Sequence, residues 1–306
     1  MRTVLITGAS GFIGSHLVAA CRDRGWYVIG LDRNSPRSFS GYQAHEHILH
    51  QVNPGQPLPA VLADRSIDAA ALLAWPIDPV TYLDSPDNLG ALSSTLGIAG
   101  ALLSGGCRTL VATGTCAEYT DPMGTERIDE THSLRPTTLY AACKVAVQTV
   151  LFQLCQSHSA VCTWARLFNT FGTGEPATRL LPSIVRALAS GGTFSAGSGV
   201  QVRDYLHVED IASALALCLE GGLPGAVNIC SGRGIRLADL MACAATACGG
   251  AERVNLGAKP DRTWDPPLLV GDPGRLLGAG WSPRDPLTLI PDYARSLLAE
   301  CADVTV

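Results

Sequence analysis

The sequence predicts an α/β fold built on a doubly wound parallel sheet. Three observations predict it: a continuously apolar opening strand, a glycine turn that runs straight into an amphipathic helix, and an alternation of short buried strands with long helical stretches.

Thr3 to Thr7 is short and apolar on both faces, as a strand covered from two sides must be. Gly8-Ala9-Ser10-Gly11-Phe12-Ile13-Gly14 follows, then a helix to about Arg24. In a strand, glycine turn, helix setting the glycines serve a tight turn, close approach of backbone to a pyrophosphate, and packing of helix on strand, with the phosphates at the positive helix end. Gly8, Ser10, Gly11, Phe12, Ile13 and Gly14 are therefore candidate dinucleotide-binding residues. The next strand, Trp26 to Leu31, ends on Asp32, where a carboxylate can accept hydrogen bonds from an adenosine ribose and repel a 2′-phosphate. This favours NAD over NADP. Arg33 could accommodate the phosphate, which leaves NADP open.

From Asn34 to Pro59 only His47 to Val52 reads as a strand. Asp68 to Ala74 is a clearer one, and Leu73-Ala74-Trp75 brings it to the carboxyl edge, where open α/β sheets bind ligands. Trp75 there either walls a nicotinamide or sugar pocket or packs within a loop. Asp84 to Gly105 reads as a long helix and Thr109 to Thr113 as a strand, followed by Gly114-Thr115-Cys116-Ala117-Glu118-Tyr119. Thr115 could point its hydroxyl at a substrate oxygen. Cys116 has no neighbouring histidine or cation to activate it. Glu118 reads as a strand-end carboxylate in preference to a general base.

Tyr140 and Lys144 stand four residues apart in Leu139-Tyr140-Ala141-Ala142-Cys143-Lys144, on one face of a helix. A phenol ionises near pH ~10, and a neighbouring ammonium is expected to lower that value and make Tyr140 a usable acid or base.

Bulk properties exclude several classes. The chain has 306 residues, 47% apolar and 16% charged, with net charge -5 and pI near 5.8, so it lacks the basic footprint of a nucleic-acid binder. Its eleven cysteines contain no Cys-x-x-Cys pair, and the opening strand follows no signal segment, so a reducing cytoplasm is expected. No apolar run is long enough for a membrane helix. His45, His47 and His50 match no zinc spacing, and no metal is expected.

Past Gly172 a helix is expected from Arg179 to Ser190 and another from Val208, then a proline-rich, lid-like region and a last helix from Pro286 to Cys301.

The chain resembles the extended short-chain dehydrogenase/reductases, and among them the NAD-dependent epimerase/dehydratase group acting on nucleotide sugars. The matching pieces are Thr7 to Gly14, Tyr140 with Lys144, Arg166 to Gly172, Gln201 to Asp210, Val227 to Gly232 and Gly280 to Pro283. The resemblance implies a Rossmann domain over residues 1–172, with 205–230 returning to it, and a smaller C-terminal substrate-binding domain over 173–204 and 231–306. It implies Thr115, Tyr140 and Lys144 as catalytic residues. Cofactor contacts would extend to Asn53, Leu73, Ala74, Trp75 and Leu167, and substrate contacts to Trp75, Thr115, Cys116, Asn169, Arg179 and Arg203, with Asn169 and Arg203 on the diphosphate. An arginine fork suits phosphate oxygens; the alternative for Arg203 is an ion pair in the Asp204 surroundings. A homodimer through the two long helices is also implied.

Departures bear on the reaction. The Asp-Glu pair that follows the threonine in sugar 4,6-dehydratases is replaced by Cys116 and Ala117. The expected activity is thus a 4-ketoreductase of a nucleotide-linked 4-keto-6-deoxysugar, with a 4-epimerase holding tightly bound NAD as the alternative. A non-catalytic dinucleotide binder is disfavoured, because it would need none of the proton chemistry of Tyr140 and Lys144.

Overall fold

The computed structural model describes residues 1–33, 43–50, 62, 65–78, 80–119, 127–261 and 265–303, so the expectations for Asn53 fall outside the described residues. In chain order the first elements are β1 (Thr3–Thr7), α1 (Phe12–Asp23), β2 (Tyr27–Asp32), β3 (Glu46–Leu49), β4 (Ala69–Leu72), α2 (Asp87–Ser104), β5 (Thr109–Thr115), α3 (Leu139–Ser157) and β6 (Val161–Leu167). Then come β7 (Asn169–Phe171), α4 (Leu180–Ala189), β8 (Phe194–Ser195), β9 (Val202–His207), α5 (Val208–Leu219), β10 (Gly225–Ile229) and β11 (Gly234–Arg236). The chain closes with α6 (Leu237–Ala247), β12 (Val254–Asn255), β13 (Leu268–Leu269), α7 (Gly274–Gly278) and α8 (Pro286–Asp303).

Seven strands form one sheet in the order β10-β6-β5-β4-β1-β2-β3, and every pairing in it is parallel. Side chains alternate between faces along each strand, which divides the core in two. Val4, Ile6, Ala69 and Ala71 join Leu17 and Val18 of α1 and Ile211 and Leu215 of α5. Leu5, Ala70 and Leu72 join Ile98 and Leu102 of α2 and Val147 and Leu151 of α3. This two-sided burial is why the strands read as unbroken apolar runs.

Strand order reverses between β1 and β4, the switch point at which sheets of this type leave a crevice. Thr7 shapes the crevice on the β4 side, because its Oγ1 accepts the backbone N–H groups of Leu73 (3.0 Å) and Ala74 (3.1 Å). β4 therefore ends at Leu72, two residues sooner than the sequence suggests, while β5 continues two residues further and carries Thr115 as its last residue.

Beyond β6 the chain leaves the large sheet. β9 pairs with β7, β11 and β13 in a smaller sheet, against which α4, α6 and α8 pack through Phe171, Leu181, Leu240 and Ile290. α5 and β10 then return to the large sheet, where β10 pairs with β6. The proline-rich stretch holds β13 and α7. No helix among the described residues is long and apolar enough to cross a membrane.

The glycine turn is held by contact of backbone on backbone. Gly8 has φ +71, and a Cβ on Gly14 would stand 1.9 Å from the Gly8 carbonyl oxygen. Only a hydrogen there lets α1 sit this close to the end of β1. Gly14→Ala is expected to lower stability by about 3 kcal/mol or more, read as a fall in the urea midpoint with an unchanged slope.

Candidate active site

A cleft of about 740 Å³ opens at the β1/β4 switch, lined by Gly8, Ser10, Gly11, Asp32, Arg33, His50, Ala74 and Trp75, and by Gly90, Ser94 and Thr95 of α2. No side chain caps α1 at Gly11, so the positive end of the helix is open towards this cleft. A glycine cradle with an uncapped helix end fits a dinucleotide pyrophosphate. Phe12 and Ile13 begin the helix behind it, and Gly14 is buried in the contact with Gly8.

Asp32 ties the turn to β2. Its Oδ1 accepts the backbone N–H (3.0 Å) and hydroxyl (2.8 Å) of Ser10, and His47 Nδ1 stands 3.3 Å from Oδ2. His45 stacks on Tyr27 at 4.8 Å and accepts the Val28 N–H. His45 and His47 thus have local structural partners, and among the described residues no group of three His, Cys, Asp or Glu is placed to hold a metal ion.

Tyr140 lies in the first turn of α3, which is capped by the Thr138 hydroxyl accepting the Ala141 N–H at 3.2 Å. The Tyr140 N–H donates to the Leu83 carbonyl at 2.8 Å, fixing the helix entry against the segment before α2. The phenol is buried and lies edge-on to Tyr82 (5.0 Å) and Trp75 (6.2 Å), with the Thr115 side chain near enough to act on its titration. One turn along, Lys144 Nζ donates to the Thr113 carbonyl at 2.8 Å and sits 3.9 Å from the centre of the Trp75 ring. Thr115, Tyr140, Lys144 and Trp75 are therefore brought together in one place.

Their electrostatics differ from the expectation. Burial pushes the Tyr140 phenol well above its ordinary range, with Tyr82 and Glu118 adding to the shift and the Thr115 side chain opposing it. Lys144 does not lower it here, because the ammonium is directed at a strand carbonyl and an indole face, 5.8 Å from the Tyr140 ring centre. Burial also brings Lys144 down to about 7, with Glu118 pulling the other way.

Glu118 is a structural carboxylate. It is fully buried, accepts the Thr115 N–H (2.8 Å), and pairs with Arg166 Nε (2.8 Å) and Trp164 Nε1 (3.0 Å). Arg166 also reaches the Tyr119 hydroxyl (2.9 Å) and Gln148 of α3 (3.1 Å), and Tyr119 donates to Asn228 of β10 at 2.6 Å. Burial pushes the Cys116 thiol up to about 12, so it stands as a neutral group beside Thr115.

On the opposite side of the site, Asn169 donates to the Asp204 carbonyl at 3.0 Å. Arg203 gives Nη2 to Asp265 at 2.5 Å and Nη1 to the Val202 carbonyl. Asp204 is not its partner; that carboxylate gathers the N–H groups of Ser231, Gly232 and Gly271. Arg179 sits at the N-cap of α4, and Leu167 ends β6 packed against the core. Sequence reasoning missed four groups here: Asn88, Tyr82, Glu175 and Asp265. Asn88 reads as an ordinary helix-start residue, and nothing local marks the other three.

Two outcomes follow from these buried carboxylates. Glu118→Ala leaves the Arg166 cation unpaired in the core and is expected to cost about 3–5 kcal/mol in urea unfolding, most of which the double change Glu118→Leu with Arg166→Met should restore. Burial raises Glu175 to about 7, with Arg179 and the Tyr293 hydroxyl opposing. A carboxyl whose affinity for the proton is higher in the fold contributes stability below pH 4.5 that is lost as pH rises through 7. Unfolding of Glu175→Gln measured across that window should lack this decline.

Known proteins resemble the chain in sequence and fold. A UDP-glucose 4-epimerase of Azospirillum brasilense is 29% identical over 308 residues, covering 92% of this chain and 87% of that protein. The crystal structure of the Thermus thermophilus UDP-glucose 4-epimerase in complex with NAD is 25% identical and superimposes with a TM-score of 0.84 over 96% of this chain and 99% of that one. A Thermotoga maritima UDP-glucose 4-epimerase crystallised with UDP-glucose has the same fold, with a TM-score of 0.87 at 21% identity over 97% of this chain and 100% of that one. The model of the NAD dependent epimerase/dehydratase family matches residues 4–230, and the chain belongs to that family.

Proposed function

We propose that this protein is a nucleotide-sugar 4-epimerase that keeps NAD bound and inverts C4 of a UDP-linked hexose. The observation that carries the reading is the buried Tyr140 phenol in the first turn of α3, near Thr115 at the end of β5, with Lys144 one helical turn behind it. The curated relatives support epimerisation over the ketoreductase expected from the wording around Cys116. NAD is favoured by Asp32 at the end of β2, and bound NAD supplies reversible hydride acceptance at the sugar carbon.

The side chains divide the remaining work. Thr115 orients the sugar 4-hydroxyl, and Tyr140 takes and returns its proton. Lys144 supplies the positive charge that a phenolate requires in a buried site. Trp75 and Tyr82 exclude water from the phenol. Asn169, Arg179 and Arg203 would meet the nucleotide diphosphate from the smaller sheet, Arg203 exchanging Asp265 for phosphate oxygens. In this reading residues 1–172 with 205–230 bind the dinucleotide and the remainder binds the sugar nucleotide. Cys116 and Ala117 offer no acid and base for dehydration.

A homodimer through α2 and α3 belongs to the same proposal. Apart from Asp87 at the start of α2, the exposed positions of α2 and α3, among them Leu89, Gly97, Ala101, Ala142, Ala146 and Val150, are uncharged, as a covered helical face requires. Eleven free cysteines suit a reducing cytoplasm.

Purified protein incubated with UDP-glucose should form the C4 epimer without net change in nicotinamide absorbance. Tyr140→Phe should lower turnover by about 10²-fold or more while bound NAD per subunit stays the same. Stoichiometric oxidation of added NADH by a 4-keto sugar nucleotide, with no epimer formed, would replace this reading with the reductase.

A further inference from the structure

Trp75 does more than line the cleft. Its Nε1 donates to Asn88 Oδ1 at 2.8 Å, and Asn88 is itself buried, with Nδ2 donating to the carbonyls of Tyr82 (2.6 Å) and Ser85 (2.9 Å). Those two bonds fix which way the Asn88 amide faces, so its oxygen can only accept from the indole. The indole plane is thereby set, and Lys144 Nζ lies 3.9 Å from its centre.

We propose that Trp75, pinned by Asn88, is a positioning residue for Lys144: its ring face holds the ammonium in place and keeps it protonated within the fold. An indole face attracts a cation most strongly when both are out of water, and Lys144 is 3% exposed. The other groups facing the ammonium are the Tyr140 phenol on its own helix and the Glu118 carboxylate beside β5. That carboxylate is already paired with Arg166 of β6, and α2 meets α3 through apolar side chains such as Ile98 and Leu102. Burial works against the charge, and the aromatic face supplies what the spent Glu118 does not. The inference rests on contacts within the protein and stands whichever reaction the site performs.

The chain makes the test direct, because it contains two lysines, Lys144 and the exposed Lys259. Protein carrying ¹³Cε-lysine should give two methylene signals, with Lys259 as internal reference. Spectra are recorded on the full chain as purified and after removal of dinucleotide, and the expected values refer to the latter. The Lys144 protons should be shifted upfield by the indole ring current. Trp75→Leu, which keeps the site dry, should abolish that shift and lower the proton affinity of Lys144 about ten- to thirtyfold. Trp75→Phe should restore part of both, and Asn88→Leu should weaken both without abolishing them. A Lys144 signal without ring-current shift in the unsubstituted protein overturns the proposal, a result that needs no variant to fold. So does a titration of Trp75→Leu within twofold of the parent.

Discussion

The ion pair between Glu118 and Arg166 organises the carboxyl edge of the sheet. Both partners are buried, and each has its remaining hydrogen-bonding capacity met by a different element: Thr115 of β5, Trp164 of β6, Gln148 of α3, and Tyr119, which leads on to Asn228 of β10. A buried pair of this kind contributes little net stability by comparison with an apolar core, but its geometry is demanding. Satisfying all of it at once sets the strand end that presents Thr115 and the helix that presents Tyr140. The site rests on this charged floor.

The same dryness explains the protonation states above that floor. Tyr140 is held neutral and Lys144 is held by an aromatic ring and a backbone carbonyl, so in this state the two are neighbours without being an ion pair. A phenol in such a setting is a proton donor at rest.

Much of this was legible in the sequence because it is local. The glycine turn, the strand ending on Asp32 and the four-residue spacing of Tyr140 and Lys144 are written in consecutive residues, and the wording of Arg166 to Gly172 points to the family. What stayed hidden is non-local. Asn88 matters because Trp75 points at it from 13 positions away, and Arg203 is engaged by Asp265 from 62 positions away. The sign of the Tyr140 shift was missed for a related reason. Spacing along a helix shows that a cation is near, but where its ammonium points is decided by β5 and Trp75.

The return of β10 to the large sheet has a consequence for how the protein is made. β6 emerges from the ribosome with one edge paired to β5 and the other open, and the strand that closes it ends about sixty residues later. At translation rates of about 5–20 residues per second that edge waits several seconds. Nascent chains are therefore exposed to mispairing during a defined interval, and the α4 to α5 excursion is synthesised entirely within it.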